Sequence, residues 1–128
     1  MNESEFTREV TRELKRVRAT VFTFVAGQHG QTDGIPDRYI SHVLWQGFAE
    51  FKGQRTPISP MQKIHHDELN RQRIGQAIIV RFDSTVKDGF RYSIAIKDQF
   101  ILLRWDRASK RNGIELLETV NLLANRMG

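Results

Sequence analysis

The 128-residue chain has no cysteine, which excludes disulfides, thiolate zinc sites and cysteine nucleophiles. It also lacks any apolar run long enough to cross a bilayer. Internal repeats, low-complexity tracts and Pro/Gly/Ser linkers are missing too, so residues 1–128 are read as one domain. The opening "MNESEFTREV" is polar and acidic, without the apolar segment an export signal needs, and a cytoplasmic, intracellular protein with no membrane contact is the expectation. The Gly-rich "GQHGQTDG" holds Gly27, Gly30 and Gly34 but no following Gly-Lys-Ser/Thr, so it is not a phosphate-binding fingerprint. His29 within it could meet a phosphate or nothing. His65 and His66 are adjacent rather than four apart, which rules out a two-histidine zinc pair on one helix face. Both are expected at the surface, with His66 one turn from Gln62. Chemistry is left to carboxylates, Lys, His and hydroxyls.

Twenty Lys plus Arg against fifteen Asp plus Glu give a net charge of +5, a balance suited to a polyanionic partner. The densest clusters are "REVTRELKRVR", from Arg8 to Arg18, and "RASKR", from Arg107 to Arg111. A merely soluble basic surface is the bland alternative.

Phe6, Val10, Leu14 and Val17 form an apolar stripe at helical spacing, and Asn2 with Glu5 suits a capping pair at its start. "TVFTFVA", Thr20 to Ala26, is β-branched and aromatic, hence a strand. "GIPDRYISHVLWQGFAEFKG", Gly34 to Gly53, supplies two more strands and a turn. Ser59, Pro60 and Gln62 mark a helix start, with that helix running to about Arg73 and Gly75 just past its end. "QAIIVRF" reads as a buried strand, "FRYSIAIKDQFILLRW" as a hairpin turning near Asp98. Asn112 with Glu115 is expected to cap a last helix through about Arg126, whose Leu116, Leu117, Val120, Leu123 and Ala124 suit the core or a second subunit.

Within the Gly34–Gly53 stretch, Glu50 and Lys52 share a strand face. A turn centred between Val43 and Leu44 places Asp37 opposite Glu50, with Cβ atoms within roughly 5 Å. Two carboxylates that close repel unless a cation joins them, and Mg²⁺, hard and oxygen-seeking, is the natural one. Pro36 removes a ladder donor, so Asp37 is expected at a strand end where a ligand can approach. The Lys52 ammonium could hold an attacking water and offset charge on a phosphate. The same three residues also suit the solvated face of an amphipathic hairpin with an ordinary salt bridge.

"GIPD", then "EFK" thirteen residues on, inside an αβββαβ order, resembles the PD-(D/E)xK nuclease superfamily. The continuation "GQRTPISPMQKIHHDEL" is similar to its virus-type replication-repair (VRR-NUC) branch. The resemblance covers about residues 3–82, and the hairpin and helix at about 90–127 match nothing recognised. It implies a mixed α/β (α+β) fold with a restriction-endonuclease-like αβββαβ core, to which the residue pattern adds a C-terminal hairpin and helix. It implies Mg²⁺- or Mn²⁺-dependent phosphodiester hydrolysis: Asp37, Glu50 and the Phe51 carbonyl as metal ligands, and Lys52 positioning the water. Stand-alone members of the branch are associated with branched DNA such as four-way junctions, usually as homodimers. A first-helix glutamate often completes such sites; at 100° per residue Glu3 lies nearest the apolar face, Glu13 next, Glu5 and Glu9 further away. Gln62 matches the glutamine that relatives carry on the helix after the Lys, which implies a catalytic role, and capping is an equally good reason for it.

The expectation is therefore a metal-dependent DNA endonuclease, with Arg12, Lys15, Arg16 and Lys63 as phosphate contacts and selectivity arising from DNA shape. The alternatives are a catalytically silent DNA-binding protein on the same fold and a basic α/β interaction module with a fortuitous motif.

Overall fold

The computed structural model describes residues 1–24, 36–71 and 76–126. In chain order these form α1 (Glu3–Arg16), β1 (Thr20–Thr23), β2 (Arg38–Ser41), β3 (Gln46–Lys52), α2 (Pro60–Arg71), β4 (Gln76–Val86), β5 (Gly89–Ile96), β6 (Gln99–Asp106) and α3 (Asn112–Asn125). The result is a mixed α/β fold built on a six-stranded sheet in sequential order, β1-β2-β3-β4-β5-β6. Every neighbouring pair is antiparallel except β3–β4, which is parallel and joined through α2. A parallel pair cannot be closed by a tight turn, so the crossover helix is obligatory there.

Both capping pairs form. Asn2 Oδ1 accepts the Glu5 amide at 2.8 Å while Glu5 Oε1 accepts the Asn2 amide at 3.2 Å. Ser59 Oγ accepts the Gln62 amide at 3.1 Å, and Gln62 Oε1 accepts the Ser59 amide at 2.9 Å. The expected cap at the last helix does not form. Asn112 is the first helical residue of α3 and Arg111 the N-cap, without a side-chain bond. The Asn112 side chain is buried and committed elsewhere, donating to the Asp106 carbonyl at 2.7 Å and accepting the Asp106 amide at 3.3 Å. Closing the end of β6 satisfies polar groups that burial would otherwise leave orphaned.

The expected tail of the first strand and the Gly-rich loop, with His29, Gly27, Gly30 and Gly34, lie outside the described residues apart from Phe24, as do Arg73 and Gly75. β4 runs past Phe82 to Val86, with a bulge between Phe82 and Ser84. It turns into β5 through Asp88, in the left-handed region at φ 62. Gly89 follows where a Cβ would meet the Trp105 carbonyl oxygen at 1.8 Å, so no other residue fits.

One sheet face packs against α1 and α3. Phe6, Val10 and Leu14 of α1 are buried, with the Phe6 ring 6.2 Å from Phe51, 5.8 Å from Phe82 and 5.4 Å from Phe90. The α3 stripe of Leu116, Leu117, Val120, Leu123 and Ala124 is buried in the same core, so the monomer itself consumes the face that sequence alone left open to a second subunit. Alternation then sends Phe48, Glu50 and Lys52 to the opposite face. There α2 packs on β4, and buried Asn70 pins the start of that strand, its side chain bonded to the Ala77 amide at 2.8 Å and carbonyl at 3.1 Å.

Candidate active site

The β2–β3 register is Arg38↔Ala49, Tyr39↔Phe48, Ile40↔Gly47 and Ser41↔Gln46. Its midpoint falls between Val43 and Leu44, and the next position outward sets Asp37 against Glu50. Asp37 sits just before β2 begins, where its carbonyl accepts the Phe24 amide at 2.9 Å. Strand end and strand interior thus bring the two acids together, as the Pro36 break requires.

Glu50 is buried and Lys52 nearly so, at 5% and 8% exposure. Burial pushes the Glu50 carboxyl up to about 8; the Asp37 charge pushes the same way, and the Lys52 ammonium opposes both. Asp37 is also raised, mainly by burial, with the Arg38 guanidinium beside it opposing. Arg38 Nη1 holds Asp37 Oδ2 at 2.9 Å. The other oxygen, Oδ1, is buried without a hydrogen-bond partner among the described residues. The Glu50 carboxyl and the Phe51 amide lie close enough to influence Asp37, but neither completes a hydrogen bond to Oδ1.

Gln62 does two jobs at once. Its Oε1 closes the α2 cap, while its Nε2 donates to Glu50 Oε1 at 2.8 Å. The helix start and the acid are thereby fixed relative to each other, a positioning task that capping alone would not need. Lys52 makes no ion pair among the described residues, yet its charge bears on both Glu50 and His66.

Glu3, at the start of α1, turns toward the same strand end: its Oε1 accepts the Gly53 amide at 2.8 Å. It therefore ties the helix to the residue after Lys52. Glu3 and Asp37 line one groove of about 630 Å³, together with Thr7, Arg8, Thr11, Arg12 and Lys15 of α1 and with Thr23 and Arg38 of the first hairpin. Arg8, Arg12 and Lys15 make no ion pair among the described residues, so their charge faces this groove uncompensated. Arg16 is turned away, paired with Glu13 and donating to the Lys110 carbonyl. Lys63 lies on α2, paired with Asp67 at 3.3 Å. In the second basic cluster, Arg107 pairs with Glu9 at 2.9 Å and Arg111 with Glu118 at 2.9 Å, which neutralises much of it internally.

His66 corrects the surface expectation. It is 5% exposed, its Nε2 has no partner among the described residues, and burial, helped by the Lys52 and His65 charges and opposed by Asp67, pushes it down to about 4. Spacing on α2 could have revealed this, since His66 and Asn70 are one turn apart on the face that meets β4. Arg8 and Arg38 were passed over as individual groove residues; the signals were Arg8 one turn before Arg12 and Arg38 adjacent to Asp37.

Among the described residues, no group of three or more His, Asp or Glu side chains is arranged to hold a metal ion. The donors that fit a hard cation are the Asp37 and Glu50 carboxylates and the Phe51 carbonyl, an all-oxygen set with one orphaned oxygen already in place. A divalent ion would offset the burial that raises both acids and the Asp37 charge that adds to it at Glu50. Comparison with known protein families, with characterised proteins and with solved structures returns no match.

Proposed function

We propose that the chain is a metal-dependent DNA endonuclease of the PD-(D/E)xK type, close to the VRR-NUC branch, with α1 to β4 as a restriction-endonuclease-like core. The observation that carries this reading is the convergence of Asp37, Glu50 and Lys52 at one strand end, with Glu50 held by Gln62 and made costly to ionise. A structural salt bridge has no use for two repelling acids, and a protein that only bound a polyanion would be weakened by them.

Asp37, Glu50 and the Phe51 carbonyl would hold Mg²⁺ or Mn²⁺, while Glu3 lines the same groove as Asp37 and ties α1 to Gly53. The bound ion would supply Lewis acidity toward the phosphate and the attacking water. Gln62 keeps Glu50 in one orientation by donating to its Oε1. Lys52 orients the water and offsets charge building on the phosphate. Arg8, Arg12 and Lys15 hold backbone phosphates in the α1 groove, and such contacts carry no sequence information, so DNA shape decides the substrate. Branched DNA, such as a four-way junction or a flap, is the substrate class we assign. A homodimer would pair two such sites across two strands.

The test incubates purified protein with a labelled four-way junction, a flap, a linear duplex and a single strand, in Mg²⁺, Mn²⁺ or EDTA, beside Asp37→Asn and Lys52→Ala. Cleavage that needs the ion and disappears in both variants is the expected result. Binding that survives in EDTA, with no cutting under any condition, would replace the enzyme by a silent DNA-binding protein.

A further inference from the structure

The sheet face that carries Asp37, Glu50 and Lys52 also carries four aromatic rings. Phe22 pairs with Tyr39 across β1–β2, and Tyr39 with Phe48 across β2–β3, so all three lie in one row across the sheet. Phe22 and Tyr39 are 6.3 Å apart between ring centroids, Tyr39 and Phe48 5.0 Å, and Phe24 and Phe48 6.3 Å. Phe22 is 52% exposed, and Phe24, Tyr39 and Phe48 are half-buried, because α2 covers the β4 part of this face rather than β1 and β2. Ring-to-ring contact explains why the row holds together but not why large rings stand open to water at the edge of a sheet, where Thr or Val would pair as well.

Position gives them a use. Tyr39 stands two residues from Asp37 and Phe48 two residues from Glu50, each displaced along its strand by about 7 Å. That places a flat apolar surface about one nucleotide of extended strand from the acids. The cationic groove lies on the α1 side of the sheet, with Thr23 and Arg38, and meets the aromatic face at the strand end where Asp37 stands, so phosphates on the groove wall would leave the next base to turn onto the rings. Bases stack on aromatic side chains regardless of sequence, provided that they are not already stacked in a duplex.

We propose that Phe22, Tyr39 and Phe48 form a stacking platform for an unpaired base of DNA next to the scissile phosphate. This rests on the nuclease reading and sharpens its substrate class: the DNA must present single-stranded nucleotides at the cut, as a flap or a splayed branch point does, and continuous duplex is a poor substrate.

The experiment uses a duplex with one single-stranded arm, carrying 2-aminopurine in turn at each of the first nucleotides beyond the branch. In EDTA with saturating protein, one position is quenched severalfold relative to free DNA, and the quench is lost in Tyr39→Leu and in the exposed-site variant Phe22→Leu, which guards against misfolding. In Mg²⁺, an abasic nucleotide at that same position lowers kcat/KM of the unaltered protein by about tenfold or more, and has little effect on Tyr39→Leu. No quench at any position, failure to bind the DNA, or abasic and intact arms cut equally fast would each overturn the platform. A quench without cleavage in Mg²⁺ keeps the platform and removes the nuclease; cleavage without a quench does the reverse.

Discussion

Glu50→Gln should make the metal-free protein more stable at alkaline pH, although it removes a central acid. In the folded chain Glu50 titrates at about 8, against an ordinary value of 4.5. A carboxyl whose folded value is raised contributes stability that is fully present below 4.5 and is lost as pH rises through about 8, because the folded state holds the proton more tightly than the unfolded one. At about 1.4 kcal/mol for each tenfold in proton affinity, the whole displacement corresponds to roughly 5 kcal/mol. The window from pH 5.5 to pH 9 spans only part of that displacement, so a difference of about 2–4 kcal/mol between the two is the expectation. Glutamine keeps the volume and an oxygen for the Gln62 amide but cannot ionise. Urea unfolding in EDTA should show the two proteins within about 1 kcal/mol of each other at pH 5.5, and Glu50→Gln ahead at pH 9. Millimolar Mg²⁺ or Mn²⁺ should restore the unaltered protein at pH 9 by mass action and leave Glu50→Gln unmoved. Parallel pH profiles in EDTA would refute the reasoning, since they would mean that Glu50 ionises at little cost and that no strained acid pair awaits a cation.

Gln62→Ala removes the α2 cap and the bond to Glu50 together, so a stability loss of about 1 kcal/mol should accompany a fall in cleavage rate. Gln62→Glu keeps the cap oxygen but replaces the donor to Glu50 by a third carboxylate; cleavage should collapse and the metal-free variant should lose more stability at pH 9 than at pH 5.5, a pH dependence that loss of the cap alone would not give. Arg12→Ala and Lys15→Ala should each lower the salt slope of DNA binding by about one and weaken affinity alike across sequences, as measured by titration in EDTA from low to moderate salt. Arg16→Ala and Lys63→Ala should leave that slope close to its original value, since both side chains are engaged in ion pairs away from the groove.

How far the sequence reveals this molecule depends on whether a feature is local. The Asp37–Glu50 opposition was legible because a short hairpin has one degree of freedom, the turn centre, and a symmetric turn between Val43 and Leu44 fixes every pair at once. Both helix starts were legible for the same reason, as an Asn or Ser and a Glu or Gln three residues on can reach nothing nearer than each other's amides. Asn112 looked the same and behaved differently because its partner, the end of β6, sits six residues upstream, outside the three-residue spacing that the cap rule reads. The cationic groove was half legible. Helical phase gathers Arg8, Arg12 and Lys15, but only the packing of α1 on the sheet sets them against Thr23, Asp37 and Arg38, and only the engagement of Arg16 by Glu13 and Lys110 removes it from the set. Gln62 shows the limit most clearly. Three residues of spacing specify its oxygen, whereas its nitrogen finds Glu50 through a contact between helix and strand that no local rule describes. Chemistry at this strand end is accordingly written twice, once in short spacings that place the acids and once in long-range packing that decides which neighbours tune them.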